Sequence, residues 1–236
     1  GYGMMQSLQH MARKGGVEYI ANEVVEIERR GNQIAGVTLK TGEVIGCGVL
    51  VNAAGTRAPL LARMADIQLP ITPRKRSVFV FNCHEALGQP LPLTIDPSGV
   101  YCRSEGEVYI TGKPPEIDDD ADYDDFDVDY AQFEQDIWPV LANRIPAFEA
   151  IKLIRGWVGH YDYNVFDQNA IIGAHPVVGN FLFANGFSGH GLQQAPAVGR
   201  GVSELITYGK YRELDLSELS YERIAADRPF IEKAII

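Results

Sequence analysis

The chain has 236 residues, enough for one large domain or two small ones, and 46% of them are apolar, the usual fraction for a soluble chain that buries a continuous core. Its 21 Lys and Arg against 31 Asp and Glu give a net charge of −10, and a surface of that sign repels phosphate backbones and anionic headgroups, which disfavours nucleic-acid and membrane-surface roles. Cys47, Cys83 and Cys102 are odd in number and far apart with no CxxC pair, so neither a disulfide framework nor a zinc knuckle is encoded and a reducing compartment fits best.

No run approaches the roughly 18 apolar residues of a membrane span, and the first residues lack the basic-then-apolar order of a signal peptide. The chain opens on Gly1 and Tyr2 instead of an initiator Met, which leads to the expectation of a longer polypeptide that was cleaved or split. Met4, Met5, Leu8, Met11 and Ala12 recur at helical spacing and Gly15-Gly16 stops them, predicting an amphipathic helix. Val17 to Ile20 and Val24 to Glu28 read as strands; Arg30-Gly31-Asn32 turns into a strand over Ile34 to Lys40, and Thr41-Gly42 into Glu43 to Ile45. Val49-Leu50-Val51 is uniformly apolar, as in a strand covered on both faces, and runs through Asn52-Ala53-Ala54-Gly55-Thr56 into a helix over Pro59 to Ala65.

From Ile71 to Lys113, strands alternate with turns at Gly88-Gln89-Pro90, Asp96-Pro97-Ser98-Gly99 and Glu105-Gly106, the pattern of an antiparallel sheet. Asp129 with Gln132 reads as an N-cap and its box partner for a helix reaching about Asn143. Strand character resumes at Ile151 to Ile154 and Ala170 to Ile172, and Phe181-Leu182-Phe183-Ala184 is a second buried-type strand. A long helix follows from about Leu192 to Tyr208, and the last two dozen residues read as a polar, weakly helical tail.

The sharpest motif is Gly186-Phe187-Ser188-Gly189-His190-Gly191-Leu192-Gln193-Gln194-Ala195-Pro196. Three glycines between a buried strand and a helix let backbone N–H groups approach a ligand, and the positive end of the helix dipole favours negative charge there; an ordinary strand-to-helix turn has the same composition. This stretch resembles the C-terminal flavin motif of the D-amino-acid-oxidase and sarcosine-oxidase superfamily. Gly156-Trp157-Val158-Gly159-His160-Tyr161-Asp162-Tyr163-Asn164-Val165-Phe166-Asp167-Gln168-Asn169 resembles a narrower branch, the FAD-dependent oxidoreductase-domain proteins linked to mitochondrial complex I assembly, which has bacterial relatives. Val49 to Leu61 is similar to the superfamily's strand and Ala-Ala-Gly turn beside the FAD adenosine and pyrophosphate. The resemblance runs from Gly1 to about Tyr208, but the superfamily's opening strand, GxGxxG turn and helix have no counterpart.

The resemblance implies FAD as cofactor and Val25, Ala54, Gly55, Thr56, His160, Phe187, Gly189, His190, Gly191, Leu192 and Gln193 as its contacts. Val25 would present its backbone to adenine, or be a plain strand valine. Ala54 and Gly55 would admit the cofactor, or serve helix–strand packing. His160 stands where some sarcosine oxidases carry a flavin-linked cysteine. Tyr161, His190 and Gln193 are the implied catalytic residues, with Tyr161 and Tyr163 either facing a substrate or forming an aromatic core stripe. Two lysines of the sarcosine oxidases are replaced, one by Gln193 and one, over the flavin, by Tyr109. Arg74-Lys75-Arg76 reads as a solvated strand end or an attractor of anions. Asp118 to Asp129 holds eight aspartates in twelve residues, without the Gly and closing Glu of an EF-hand, and reads as a solvated or mobile loop. No histidine spacing suggests a metal.

The expected fold is α/β (α+β): the C-terminal part of an FAD-binding Rossmann-like domain (1–65 and 156–210) with an inserted antiparallel-sheet substrate domain (66–155), and a tail over 211–236. The resemblance implies flavin-dependent oxidation of an amine or amino acid by hydride transfer to flavin N5, by a dehydrogenase rather than an oxidase, with a small-molecule substrate. A second chain or a further segment would carry the GxGxxG motif, and a non-catalytic flavin-retaining assembly protein is the alternative. The implied location is a bacterial cytoplasm or the mitochondrial matrix.

Overall fold

A computed structural model describes residues 2–85 and 87–232. In chain order its main elements are α1 (Tyr2–Lys14), β1 (Val24–Arg30), β2 (Gln33–Leu39), β3 (Val44–Gly46), β4 (Leu50–Asn52), α2 (Ala58–Arg63), β5 (Ile71–Cys83), β6 (Thr94–Ile95), β7 (Tyr101–Glu105) and β8 (Val108–Gly112). There follow α3 (Tyr130–Gln132), a π-helical stretch Phe133–Ile137, α4 (Trp138–Arg144), β9 (Ile151–Asn164), β10 (Ile171–Ala174), β11 (Phe181–Asn185), α5 (Gly191–Tyr208) and α6 (Glu222–Ala225). The chain divides into two compact units, one of residues 1–71 and 164–232, the other built on 72–163. The sequence places these divisions at 65/66 and 155/156.

The first unit contains two three-stranded sheets. One is the antiparallel meander β1-β2-β3, and the other has the order β10-β11-β4, with β11 parallel to β4 and antiparallel to β10. The parallel register sets Phe183 opposite Asn52, so both strands deliver their following turns to the same edge of the sheet. Phe181, Phe183, Ile171, Ala58 and Ala62 form the core on one side, while Ile172, Leu182, Val198 and Val202 pack α5 on the other. Phe181 to Phe183 are all buried, as a strand covered on both faces requires, whereas Leu50 and Val51 are half-buried and Val49 is exposed. Val17 to Ile20 joins no strand ladder among the described residues and stands exposed; local β-propensity does not make a strand without a partner edge.

The polar, weakly helical tail is anchored through Tyr221 and Arg223. Tyr221 stacks on Phe183 with ring centroids 5.2 Å apart. Arg223, 4% exposed, forms a two-pronged ion pair with Asp167, donating from Nε at 2.6 Å and from Nη2 at 2.9 Å.

The second unit is a five-stranded sheet of order β6-β7-β8-β5-β9, with one face covered by the segment 130–149. Phe79, Phe81, Tyr109, Phe133, Ile137 and Phe148 are its core, and the Phe81, Tyr109 and Phe148 rings lie within 5.3 Å of one another by centroid. Strand alternation puts Tyr109 on this covered face and Val108 and Ile110 on the opposite one. Tyr109 is buried among aromatic rings, so a lysine at 109 would place a cation in an aromatic core. Asp129 caps the following helix through the amides of Ala131 and Gln132. The Gln132 side chain donates to the Lys113 carbonyl, so the reciprocal half of the expected capping box is absent. Gly156 fits because a Cβ there would stand 2.7 Å from Val128 Cγ1 and 3.2 Å from Phe79 Cδ1. Gly156→Val should lower stability by about 1–3 kcal/mol through overpacking, read as a reduced denaturant midpoint at unchanged m-value.

Candidate cofactor site

In α/β sheets, ligands bind beyond the carboxyl ends of parallel strands, where loops present helix N-termini. The first unit has one such edge. β4 ends in Asn52 and leads through Ala53 and Ala54 into a 3-10 turn, Gly55–Arg57, and then α2. β11 ends in Asn185 and leads through the glycine loop into the 18-residue α5. Gly55 has φ +55° and nothing within 4 Å of where a Cβ would stand, which leaves open space over the turn. Gly186, Ser188 and Gly189 all have positive φ, at 72°, 48° and 100°, so the loop turns sharply enough to start α5 at the strand end.

No side chain caps α5, whose N-cap is His190. The first bond along the helix runs from Gln194 N to His190 O at 3.2 Å, so the amides of Gly191, Leu192 and Gln193 are the donors that a helix start leaves for an outside acceptor. Leu192 and Gln193 are exposed, and Gly189, His190 and Gly191 are half-buried.

Two asparagines that the sequence analysis passes over complete the edge. Asn52 and Asn185 are fully buried. Asn52 donates to the Ala58 carbonyl at 2.9 Å and accepts from the Ala54 amide at 3.2 Å, fixing the Ala-Ala-Gly turn. Asn185 Oδ1 is buried with no hydrogen-bond partner. A buried acceptor without a donor costs about 1–3 kcal/mol, a cost removed when a ligand supplies an N–H or O–H. The only signal in the sequence is that each Asn directly ends an apolar strand run.

Of the remaining predicted contacts, Thr56 lies within the same 3-10 turn and Phe187 within the glycine loop, half-buried against the core under α5, while Val25 sits at a register shift between Val24 and Glu26 in β1 and is exposed. His160 and Tyr161 belong to the second unit. His160 Nε2 is 2.7 Å from the Asp125 carbonyl and its ring stacks on Phe126 at 4.6 Å. Tyr161 carries the Arg76 guanidinium 5.1 Å above its ring, and Arg74 lies likewise over Tyr163. Tyr161 also lines a cavity of about 210 Å³ with Arg76, Tyr101, Lys113 and Trp157. Burial pushes the Tyr101 phenol up to about 12, so it stays a neutral O–H donor.

The acidic segment is docked onto the basic strand. Asp118 grips Arg76 at 2.6 and 2.8 Å, Asp120 pairs with Arg74 at 2.5 Å and Asp125 with Lys75 at 2.7 Å. Arg74-Lys75-Arg76 is thus neither a solvated strand end nor an open anion attractor, and 118–125 is not a free loop. The hydrogen bond from Lys75 holds the Asp125 carboxyl below its ordinary value of 3.8. A depressed carboxyl stabilises above its unfolded value and stops doing so as pH falls through the lowered one. Limited proteolysis should therefore leave 118–125 intact at neutral pH and low salt, and cut it faster below about pH 3.8 or in about 1 M salt, where exposed ion pairs are screened.

Among the described residues no group of His, Cys, Asp and Glu is placed to hold a metal ion, and no helix is long and apolar enough to cross a membrane. Cys47, Cys83 and Cys102 are free thiols.

The DAO family, FAD dependent oxidoreductase, matches residues 1–205. The chain belongs to that family, whose cofactor is FAD. It is 43% identical over 205 residues to FAD-dependent oxidoreductase domain-containing protein 1 of Xenopus laevis, a match covering 81% of this chain and 41% of the relative. To the monomeric sarcosine oxidase of Arthrobacter sp. strain TE1826 it is 25% identical over 234 residues, covering 94% of this chain and 58% of that enzyme. The crystal structure of L-proline dehydrogenase from P. horikoshii superposes with a TM-score of 0.80 at 29% identity, covering 92% of this chain and 58% of that one. The chain therefore spans about two fifths to three fifths of the length of these relatives. The residues present fit FAD: open helix amides, space over Gly55 and the unpartnered Asn185 Oδ1 are what an anionic cofactor with hydroxyl and imide donors requires.

Proposed function

We propose that this chain forms part of the FAD site of an oxidoreductase acting on an amine or amino acid. The observation that carries the reading is the uncapped start of α5 beside the buried, unpartnered Asn185 at the ends of two parallel strands. Bound there, FAD supplies a two-electron acceptor for the C–H beside the substrate nitrogen. The amides of Gly191, Leu192 and Gln193 hold negative charge at the helix N-terminus. Asn185 Oδ1 accepts a hydrogen bond from the cofactor, and the Ala54-Gly55-Thr56 turn, with the backbone of Val25, admits its adenosine side. In the second unit, Lys113 and the neutral Tyr101 phenol line a cavity with Tyr161 and Trp157 in which the charge of Arg76 is already taken by Asp118; these two donors suit a small polar substrate group.

The GxGxxG element of the family, in a longer polypeptide or on a second chain, supplies the pyrophosphate contacts. Residues 1–236 alone should then bind FAD more weakly than about 1 μM, and co-expression with that element should give a yellow complex. The stretch Gly186 to Gln193 holds no Lys or Arg, which favours a dehydrogenase over an oxidase: electrons should leave to a quinone faster than to oxygen in stopped-flow mixing.

The same neutral Gln193 supports a second reading, a protein that retains FAD for stability and assembles with others. Anaerobic incubation with a panel including L-proline and sarcosine decides between them. Bleaching of the flavin absorbance by any member supports the enzyme, and inertness to all supports the second reading.

A further inference from the structure

Ser188 is fully buried although it is a non-glycine residue at φ +48°, a conformation that persists only where its surroundings fix it. Its hydroxyl donates to the Gly186 carbonyl at 3.4 Å and accepts from the Asn164 amide at 3.1 Å. The Asn164 side chain donates to Asp167 Oδ1 at 2.9 Å and to the Asn169 carbonyl at 2.6 Å. Asp167 in turn receives Arg223 Nε and Nη2, together with the amides of Asn169 and Phe230. Ser188, Asn164, Asp167, Asn169 and Arg223 are all at most 9% exposed. A continuous buried ladder thus runs from the C-terminal segment to the centre of the glycine loop, and every rung is a specific donor–acceptor pair.

We propose that this ladder holds the glycine loop in its ligand-ready conformation, which makes Arg223, Asp167, Asn164 and Ser188 positioning residues for the cofactor site. None of the ladder's named hydrogen bonds involves a residue of α5, so the loop conformation is set from the C-terminal segment and not only by the helix that follows. Polar networks in a dry interior are rigid because each lost partner leaves another buried group unsatisfied. Only the link to the cofactor rests on the flavin reading above; the control of loop conformation does not.

The test is backbone hydrogen exchange in the purified protein carrying Asp167→Asn, a near-isosteric change that removes the charge gripped by Arg223. The ladder predicts at least tenfold faster exchange over 186–194, with 181–185 and 198–205 within twofold of the unmodified protein. Unchanged exchange in the loop, or a uniform rise across the first unit, would overturn it. Should Asp167→Asn not fold, Ser188→Ala decides from the other end: faster exchange over 164–169 supports the ladder, and unchanged exchange there refutes it. FAD titration of the same samples separates the two readings. If the variant loosens the loop and weakens FAD at least fivefold, the loop positions the cofactor. If the unmodified protein, supplied with the GxGxxG element, takes up no FAD, the flavin reading fails while the exchange result still decides the ladder.

Discussion

Arg223→Leu is expected to lower the free energy of unfolding by about 3–5 kcal/mol, the usual cost of removing one partner from a buried ion pair. Asp167, 2% exposed beside Arg223, would lose its two strongest donors. Leucine replaces the aliphatic stem of arginine but none of its donors, so the Leu219 carbonyl loses its side-chain partner and those of Ser220 and Asn169 each lose one of two donors. For a chain of this size the change amounts to a fall in melting temperature of roughly 10 °C. The double variant Arg223→Leu with Asp167→Leu should recover part of the loss, because replacing both members of a buried pair by apolar groups is far less costly than stranding one. Calorimetry of the three proteins would check this, and equal destabilisation by single and double variants would show that the pair is not the source of the effect.

Gly189→Val is expected to remove most FAD binding while leaving the fold in place. Gly189 has φ +100°, where a β-branched residue is a severe outlier costing about 1–3 kcal/mol. Relaxation of that strain reorients the peptide planes directly before the α5 amides. That reorientation should weaken FAD by roughly 10–100-fold, or about 1.4–2.7 kcal/mol, read by flavin fluorescence titration of the protein supplied with the GxGxxG element. The second unit, with its own core, should melt as before.

Much of this organisation is legible in the sequence. Phe181 to Ala184 announces a doubly covered strand by its unbroken apolar run, and the three glycines with the apolar spacing after Leu192 announce the loop and α5. Their signals are local and periodic. The parts that escape are pairings between distant residues. The Asp167–Arg223 bridge spans 56 positions and the Arg76–Asp118 bridge 42, so the tail reads only as polar and weakly helical, and the aspartates as a solvated or mobile loop, until the partners are placed. Asn52 and Asn185 become a pair only through the parallel register of β4 and β11. That Tyr109 lies on the covered face depends on strand phase, which a short strand of mixed residues does not declare by itself. Val17 to Ile20 has strand composition and no neighbouring edge to pair with.

A crystal structure of the FAD-loaded protein, complete with the element that carries GxGxxG, tests the central claim most directly. The account predicts the flavin pyrimidine edge within about 3 Å of the Gly191 to Gln193 amides, and a cofactor donor on Asn185 Oδ1. FAD bound away from the start of α5, or those amides covered by protein side chains with Asn185 still unpartnered, would contradict it.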